Sequence, residues 1–368
     1  MKIAETFPPG EFLRDELEAR GWSQTQLAEI MGRPFRLINE IIAGKKAITP
    51  ETAIQLGDSL GTGPELWMNL ESQYQLSKVC ASDGQVARRA RLYGRFPVRE
   101  MIKRGWLPKT KAVAELEHAC LAFFGLNRLD EPLNFSHAAK KAEVLENASD
   151  LQLAWLYRAR QLASEQIVAP YTAERLRQAL TKLASLLPAP AEARHVPRLL
   201  AECGVGFVVV EPIPGSKIDG ACFWLSDTQP VVAMSLRLDR IDNFWFVLRH
   251  ELEHVLCEHG KGRGYLIDQD LDPTEQVNDE EDAANREALE FCVSQSELTG
   301  FIARVGPFFA EERVVLFAQR IKVHPGLVVG QLQRRLRRYD FLRAHQVKVR
   351  QFVVASARTD GWGVIDTA

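Results

Sequence analysis

Long apolar runs are absent from this 368-residue sequence: no stretch approaches the roughly 18 residues that a membrane-spanning helix needs. The first residues, MKIAETFPPGEF, also contain no apolar signal core. We therefore expect a cytoplasmic protein with no membrane partner.

Cysteines are few and form no motif. The six cysteines include no C-x-x-C pair, which argues against a disulfide framework and is typical of scattered small hydrophobic residues in a reducing compartment. The sequence also lacks internal repeats and low-complexity tracts. No G-x-S-x-G motif or Cys/His signature indicates nucleophilic catalysis.

The chain is nevertheless long enough for more than one domain. With 368 residues, of which 46% are hydrophobic and 26% charged, it has the composition of a globular protein and is too long for one ordinary core. The net charge is only −2, but residues 1–76 hold 7 Lys and Arg against 11 Asp and Glu, whereas residues 77–200 hold 20 against 12. We expect two or three domains of different character.

Residues 1–76 contain the start and stop signals of several short helices. Ser23 is placed as an N-cap, Gly32 ends the helix that follows, and Pro34 opens the next helix at once. A further helix opens with Thr49 as cap and Pro50 at its first position. Two helices joined by a tight glycine turn, with supporting helices on both sides, predict an all-α helix-turn-helix domain over 1–76.

The second helix of such a motif lies in the major groove of DNA, and its first residues reach base edges. The candidate DNA-binding residues in and after that helix are Arg33, Phe35, Arg36, Asn39, Lys45 and Lys46. Arginine can pair with guanine, asparagine with adenine, and phenylalanine can contact a thymine methyl group, whereas lysines are natural phosphate contacts. The alternative is a helical bundle that uses these residues for solubility or for binding protein, and the net acidity of the segment is consistent with it, since nucleic-acid binders are usually basic.

The segment from PPGEFLRDELEARG to GPELWMNLE closely resembles the HigA-type antitoxins of toxin–antitoxin modules. This resemblance implies a homodimer that binds double-stranded DNA at a palindromic operator, its own promoter, and so associates with the nucleoid. Half-sites would then repeat about 34–36 Å apart. The resemblance also implies a toxin protein as a further partner.

Residues 77–164 are helical and Arg-rich, and we interpret them as a helical connector. Within them, residues 87–111 carry nine Lys and Arg against one Glu. This run either extends the DNA footprint through flanking phosphates or is a helix face packed on an acidic neighbour. Short β-branched and aromatic runs over 205–236 predict strands, a loop is expected over 259–273, and residues 346–368 are expected to form a C-terminal tail.

The sequence WFVLRHELEHVLCEHG contains the motif H-E-x-x-H. On a helix, residues i and i+4 lie on the same face, so His250 and His254 can ligate one zinc ion together. Glu251 lies at the edge of that face, where it can take a proton from an activated water without ligating the metal. The apolar residues around the motif favour a buried helix, and a buried cluster of this kind must be paired or coordinated.

A catalytic zinc site needs a third protein ligand. The acidic cluster at residues 279–282 begins the next predicted helix, where acidic residues are also favoured by the helix dipole. Glu281 is our choice because it lies on the side that continues into Ala288 and Cys292 and should face inward. Glu280 and Asp282 are expected to point elsewhere, and Glu258 and His259 are expected to be loop residues.

The motif helix, together with the helix EEDAANREALEFCVSQSEL, resembles the ImmA/IrrE family of bacterial zinc peptidases over about residues 165–345. The resemblance implies His250, His254 and Glu281 as zinc ligands and Glu251 as general base. The sequence departs from the family at CVSQSEL, where the family shows an apolar stretch ending in proline.

The expected fold is multi-domain and mainly α with α+β, in which the helical connector joins the helix-turn-helix domain to a zincin-like α+β domain over 165–345. Three functions remain open. In the first, an antitoxin-type transcriptional regulator carries a zinc endopeptidase that cleaves a protein partner or itself on a signal. In the second, the protein is an antitoxin or autorepressor whose peptidase-like domain is a non-catalytic ligand or zinc sensor. In the third, an antitoxin neutralises a toxin through its N-terminal half, and the rest of the chain is a dimer scaffold.

Overall fold

A computed structural model of the chain describes residues 7–79, 84–133, 135, 148–259, 261, 265–269 and 279–363, and for 265–269 the backbone alone. Two compact units divide the chain, residues 1–88 and 89–368, and we call them the N-terminal and the C-terminal unit. No helix among the described residues has both the length and the apolar character to cross a membrane.

The N-terminal unit is helical throughout its described part. Its helices are α1 (Pro9–Arg20), α2 (Gln24–Met31), α3 (Phe35–Ile42), α4 (Pro50–Leu60) and α5 (Pro64–Lys78), and the division from the second unit falls within α6 (Gln85–Arg95). Ser23 caps α2 in a reciprocal capping box with Gln26, and Thr49 caps α4 through the backbone N–H of Thr52. The predicted helix-turn-helix arrangement is thus present, with α2 ending at Gly32 and α3 beginning three residues later.

A separate core holds these helices together. Its buried side chains come from every helix of α1 to α5, and Leu13, Leu27, Ile38, Leu56 and Trp67 are completely inaccessible to solvent. Burying a large apolar side chain contributes about 1.5–3 kcal/mol, so this shared cluster stabilises the packing of α2 and α3 against the other helices.

The C-terminal unit combines helices with one mixed sheet. Its further helices are α7 (Val98–Lys103), α8 (Val113–Phe124), α9 (Asp150–Ser164), α10 (Ala173–Ala184), α11 (Val196–Glu202), α12 (Ile241–Leu256), α13 (Asp279–Cys292), α14 (Gln295–Val305), α15 (Glu311–Arg320), α16 (Pro325–Leu336) and α17 (Arg350–Val354), and short 3-10 helices lie at Pro190–His195 and Arg343–His345. Its strands are β1 (Gly206–Val210), β2 (Ile218–Ser226), β3 (Gln229–Met234), β4 (Tyr265–Gln269) and β5 (Arg358–Asp360).

The sheet has the strand order β4-β2-β3-β1-β5. Strand β2 pairs antiparallel with both β3 and β4, whereas β1 pairs parallel with β3 and β5. The strands predicted over 205–236 are therefore present as β1, β2 and β3. Because successive side chains of a strand point to opposite faces, the fully apolar β1 must be covered on both sides.

Helices cover both faces. Phe207, Val209 and Cys222 point into a core shared with α10, α11, α12 and α16, whereas Val208 and Val210 point into a core shared with α8 and α9. The indole N–H of Trp155 on α9 donates to the carbonyl of Val210 at 2.9 Å, so α9 is fastened to the sheet by a buried hydrogen bond.

The structure divides the chain differently from the four predicted segments. Helix α9 belongs to the predicted connector but forms part of a sheet layer, because its residues are buried against β1 and β2. The predicted tail at 346–368 contributes α17 and the edge strand β5, with Val349 and Val353 in the core. Strand β4 lies within the predicted loop at 259–273. The rest of that loop, apart from His259 and Lys261, lies outside the described residues, as do residues 364–368.

Candidate metal centre and candidate nucleic-acid interface

Helix α12 carries the H-E-x-x-H motif and is buried along nearly its whole length. Its apolar side chains pack into the core between the sheet and α16. The guanidinium of Arg249, which is 5% exposed, bonds Glu253 on the same helix at 2.7 Å and Glu287 on α13 at 3.2 Å. Arg249 therefore links the motif helix to α13 through Glu287, whose side chain is half exposed.

The three predicted ligands meet at one point. The Nε2 atoms of His250 and His254 lie 3.0 Å apart, and the carboxylate of Glu281 lies 3.2 Å from the first and 3.5 Å from the second. Both histidines are 1% exposed, and among the described residues they form, with Glu281, the one group of three or more His, Cys, Asp or Glu side chains able to hold a metal ion.

This donor set fits zinc. A tetrahedral ion with bonds of about 2.0–2.1 Å separates its ligand atoms by about 3.3 Å, close to the distances observed here. Burial raises the pKa of Glu281, but hydrogen bonds and charge interactions with His250 and His254 outweigh that effect and hold the pKa well below its usual range. A carboxylate between two imidazole rings is a suitable ligand set for a divalent cation.

Glu251, on the same helix as the two histidines, is completely buried, and its side chain lies against β2. A Cβ added at Gly220 of β2 would lie 2.7 Å from Oε1 of Glu251 and 2.7 Å from Val247. The glycine therefore leaves the space that the carboxylate occupies. The thiol of Cys222, two residues further along β2, has its pKa raised well above the usual range by burial and by the charge of Glu251.

His259, predicted to be a loop residue, contacts His254 of the ligand group. Its Nδ1 lies 3.0 Å from Nδ1 of His254, and its carbonyl accepts the indole N–H of Trp224 at 3.1 Å. Burial lowers the pKa of His259, which favours the neutral ring. The sequence signal for this contact is the separation of only five residues between His254 and His259. Because the chain turns at the end of α12, this short separation brings the two rings together.

Four further polar side chains of this unit lie outside the ligand group. Asp282 is exposed on α13, and Glu280 is half-buried without joining the ligand group. Glu258 is exposed and bonds Lys261 at 3.0 Å. His324 caps α16 by accepting the backbone N–H of Gly326 at 3.0 Å, which is a structural role.

The second candidate site is the outer face of α3. Ile38, Ile41 and Ile42 anchor the helix in the core of the N-terminal unit, so that Phe35, 48% exposed, and Asn39 project outward. The exposed Arg36, Lys45 and Lys46 complete the outward-facing set predicted from the sequence.

Two contacts on this face were not anticipated. Arg33 is held within the unit, since its Nε donates to Gln55 on α4 at 2.8 Å and its guanidinium lies 3.4 Å from Glu51. Arg36 bonds Glu40 one turn further along at 2.7 Å, and this hydrogen bond lowers the pKa of Glu40. A helix that presents Arg36 to DNA therefore also presents a carboxylate.

The Arg-rich run at 87–111 is used in part within its own unit. Arg104 donates to the carbonyls of Glu211 and Pro212, each at 2.8 Å, and Arg89 donates to the carbonyl of Lys111 at 2.5 Å. Arg91 and Arg99 are exposed. Part of this positive charge therefore satisfies backbone carbonyls, a use that neither of the two predicted roles includes.

The paired helices α2 and α3, with their shared core and outward face, define a helix-turn-helix protein. A family model described as Helix-turn-helix matches residues 13–67. The uncharacterized HTH-type transcriptional regulator YddM of Escherichia coli K12 is 31% identical over 78 residues, which are 21% of this chain and 83% of YddM. Virulence-associated protein I of Dichelobacter nodosus is 36% identical over 78 residues, which are 21% of this chain and 71% of that protein. The chain belongs to the helix-turn-helix family.

A solved structure described as Pseudomonas aeruginosa antitoxin HigA with higBA promoter is similar to the same part of the chain. It is 33% identical, covers 23% of this chain and 91% of its own, and has a TM-score of 0.21. The helix-turn-helix domain predicted from the sequence is confirmed. The resemblance of the C-terminal unit to ImmA/IrrE peptidases stays a prediction.

Proposed function

We propose that the protein is a DNA-binding transcriptional regulator whose C-terminal unit hydrolyses peptide bonds with a zinc ion held by His250, His254 and Glu281. The observation that carries the peptidase proposal is the convergence of these three ligands, whose ligating atoms all lie within 4.8 Å of one another, beside the completely buried Glu251 on the same helix. Two His and one Glu leave a fourth position open on a tetrahedral ion, which is the pattern of catalytic zinc.

In the proposed hydrolysis, the zinc ion and the residues around it have different roles. Zinc, when bound, supplies Lewis-acid activation of a water molecule and of the peptide carbonyl. Glu251 acts as general base, accepting a proton from the attacking water on its carboxylate and returning it to the leaving amine. Gly220 supports this role, because any side chain at its position would displace the Glu251 carboxylate. The bond from Arg249 to Glu287 joins the motif helix to α13, the helix that carries Glu281.

Peptide hydrolysis can be tested without knowing the natural substrate. The full-length protein, loaded with zinc, is incubated with a mixed peptide library, and products are identified by mass spectrometry. We expect cleavage that a zinc chelator stops and that added zinc restores. An intact library at every zinc concentration would contradict the peptidase proposal.

His259 orients His254. Ligation through Nε2 of a neutral imidazole leaves the proton on Nδ1, where it is donated to Nδ1 of His259 at the observed 3.0 Å. Since such outer contacts are worth about 10–100-fold in metal affinity, we expect His259→Ala to weaken zinc binding by that factor. Competition with a chromophoric chelator measures the affinity.

The matched control is His118→Ala, which removes an exposed histidine from α8. It should bind zinc as tightly as wild type. Equal affinities for His259→Ala and wild type would show that the contact between the two rings does not support the metal.

Sequence-specific DNA binding by α3 is the proposed role of the N-terminal unit. Membership of the helix-turn-helix family and the exposure of Arg36 and Asn39 on the outer face of α3 support it. Arg33 bonds α4, so its proposed role is to hold α3 in position. Arg36 and Asn39 are then the residues that contact bases. An operator in its own promoter, a homodimer and a toxin partner are proposed from the resemblance to HigA-type antitoxins.

Two substitutions separate base contacts from phosphate contacts. Asn39→Ala should cost about 1–3 kcal/mol in binding and relax the base preference at one position of the site. Lys45→Ala should weaken binding to all sequences alike and reduce the salt slope by about one. Gel-shift titrations on the promoter of its own gene measure both effects.

Asn69→Ala is the matched control, because Asn69 is an exposed asparagine on α5. It should bind the promoter as wild type does. If Asn39→Ala and Lys45→Ala also match wild type, α3 does not contact DNA.

A further inference from the structure

A cavity of about 290 Å³ lies beside the metal centre in the C-terminal unit, between the N-terminal half of α12, α13 and α16. Phe246 lines the cavity, and its ring centroid lies 6.1 Å from that of His250. Val247, also in the lining, packs at Gly220 beside Glu251. The cavity therefore opens within one side-chain length of the residues proposed to hydrolyse peptides.

The volume suits a single side chain. Pockets for drug-sized ligands and cofactors occupy about 300–1,000 Å³, so this cavity is at the lower limit of that range. Gly330 of α16 lies directly against α12, since a Cβ there would come within 2.2 Å of Asp242. This close approach fixes the distance between the two helices that wall the cavity.

The charges that line the cavity leave one cation in surplus. Asp219 is bonded by Arg237 at 2.7 Å, and Asp242 by Arg240 at 2.6 Å, each through two nitrogen atoms of the guanidinium. The remaining charged side chain of the lining is Arg334, which forms no ion pair with any described residue and lies over the ring of Phe246, with its guanidinium carbon 5.0 Å from the centroid.

Neighbouring arginines add to the positive electrostatic potential around Arg334. The end of α16 and the residues just after it carry Arg334, Arg335, Arg337 and Arg338, and of these Arg338 pairs with Asp340 at 3.4 Å. The amide of Asn243, which also lines the cavity, makes no hydrogen bond among the described residues. Arg334 and Asn243 can therefore both donate to a carboxylate in this small cavity, because its own carboxylates, Asp219 and Asp242, are already bonded to arginines.

We propose that this cavity binds the side chain of an acidic residue of the peptide substrate, close to the bond that is hydrolysed. The aliphatic part of that side chain would contact Phe246 and Leu327, and its carboxylate would bond Arg334. The inference rests on the proposed peptidase function, because it assigns a substrate class to the same site.

The test uses peptide pools that share random flanks and differ at one fixed position, which is Glu, Gln, Leu or Lys. Binding is measured by fluorescence anisotropy on full-length, zinc-loaded Glu251→Gln protein, which leaves bound peptides intact, and cleavage is measured on wild type. We expect the Glu pool to bind and be cleaved about tenfold or more in preference to the Gln pool, because the bond to Arg334 is charge-assisted.

Substitutions on α16 test whether Arg334 causes the preference for Glu. Arg334→Ala should lose the preference for Glu, and Arg334→Glu should turn it into a preference for Lys. The matched control is Arg335→Ala, since Arg335 is an exposed arginine on the same helix that bonds Thr299 at 3.0 Å and does not line the cavity. It should keep the preference of wild type.

The outcomes separate this inference from the peptidase function. Cleavage without preference for Glu would overturn the inference and leave the function intact. Binding that selects Glu through Arg334, without cleavage of any pool, would overturn the function and support the cavity as a carboxylate site. Equally tight binding of free glutamate would overturn the assignment to a peptide residue, because a small dicarboxylate would then be the ligand.

Discussion

Glu251→Gln is expected to lower peptide hydrolysis by about 10²–10⁴-fold, the usual effect of removing a general base. Glutamine has nearly the shape of glutamate, so the space beside Gly220 stays filled and the fold is kept. It cannot accept the proton of the attacking water. Since the side chain is outside the group formed by His250, His254 and Glu281, the variant should bind zinc as wild type does.

The measurement compares kcat/KM of wild type and Glu251→Gln on one peptide selected from the library. Glu290→Gln is the matched control, because it removes an exposed carboxylate of α13 that accepts the backbone N–H of Gln295. It should retain full activity. Both proteins should carry zinc and bind promoter DNA with the affinity of wild type.

The Glu251→Gln variant also distinguishes a catalytic metal centre from one that only senses zinc or a ligand. If promoter output in cells responds to stress identically in wild type and Glu251→Gln, while His250→Ala abolishes the response, the metal centre acts without hydrolysis. A regulator whose second unit only senses zinc or a ligand would give that result. A response lost in both variants is the result expected of the peptidase.

Local rules were enough to predict much of the fold. The caps at Ser23 and Thr49 define the starts of α2 and α4 by hydrogen bonds within a few residues, and the structure contains those bonds. The positions of His250 and His254 on one helix face follow from the period of 3.6 residues. Glu281 could be chosen over its acidic neighbours because the inward face of α13 is readable from its apolar residues.

Contacts between distant segments could not be predicted in this way. Strand β5 pairs with β1 across about 150 residues, and three residues of sequence carry no periodic signal strong enough to show it. Helix α9 was predicted as part of the connector and not of a sheet layer, because nothing in its sequence indicates that Trp155 bonds the carbonyl of Val210. His259 and Arg334 gain their places from tertiary packing, through Trp224 and Phe246 respectively.

The charges on the outer face of α3 show the same limit. Arg33 and Arg36 were both predicted to contact bases from their positions in the motif. The structure binds Arg33 to Gln55 and Glu51 of another helix, a pairing that depends on how α3 and α4 pack. The bond between Arg36 and Glu40 spans one helical turn and could have been predicted from the i, i+4 spacing.

Zinc removal is expected to destabilise the C-terminal unit and leave the N-terminal unit unchanged. Purified protein should carry about one zinc per chain, because three protein ligands complete the usual catalytic site. At free zinc about 1,000 times the dissociation constant, binding stabilises the folded state by about 4 kcal/mol. For a unit of this size that corresponds to about 8 °C in the thermal midpoint.

Scanning calorimetry with and without a chelator measures this shift, and the separate core of the N-terminal unit provides an internal reference. Glu281→Ala removes one ligand, so it should lose the bound zinc and unfold at the midpoint of the chelated wild type. The matched control is Asp282→Asn, which neutralises the neighbouring, exposed acid of the same helix and should retain both the zinc and the higher midpoint. Full zinc content in Glu281→Ala would remove this residue from the ligand set, and a midpoint indifferent to chelation in wild type would show that the unit folds without using the metal.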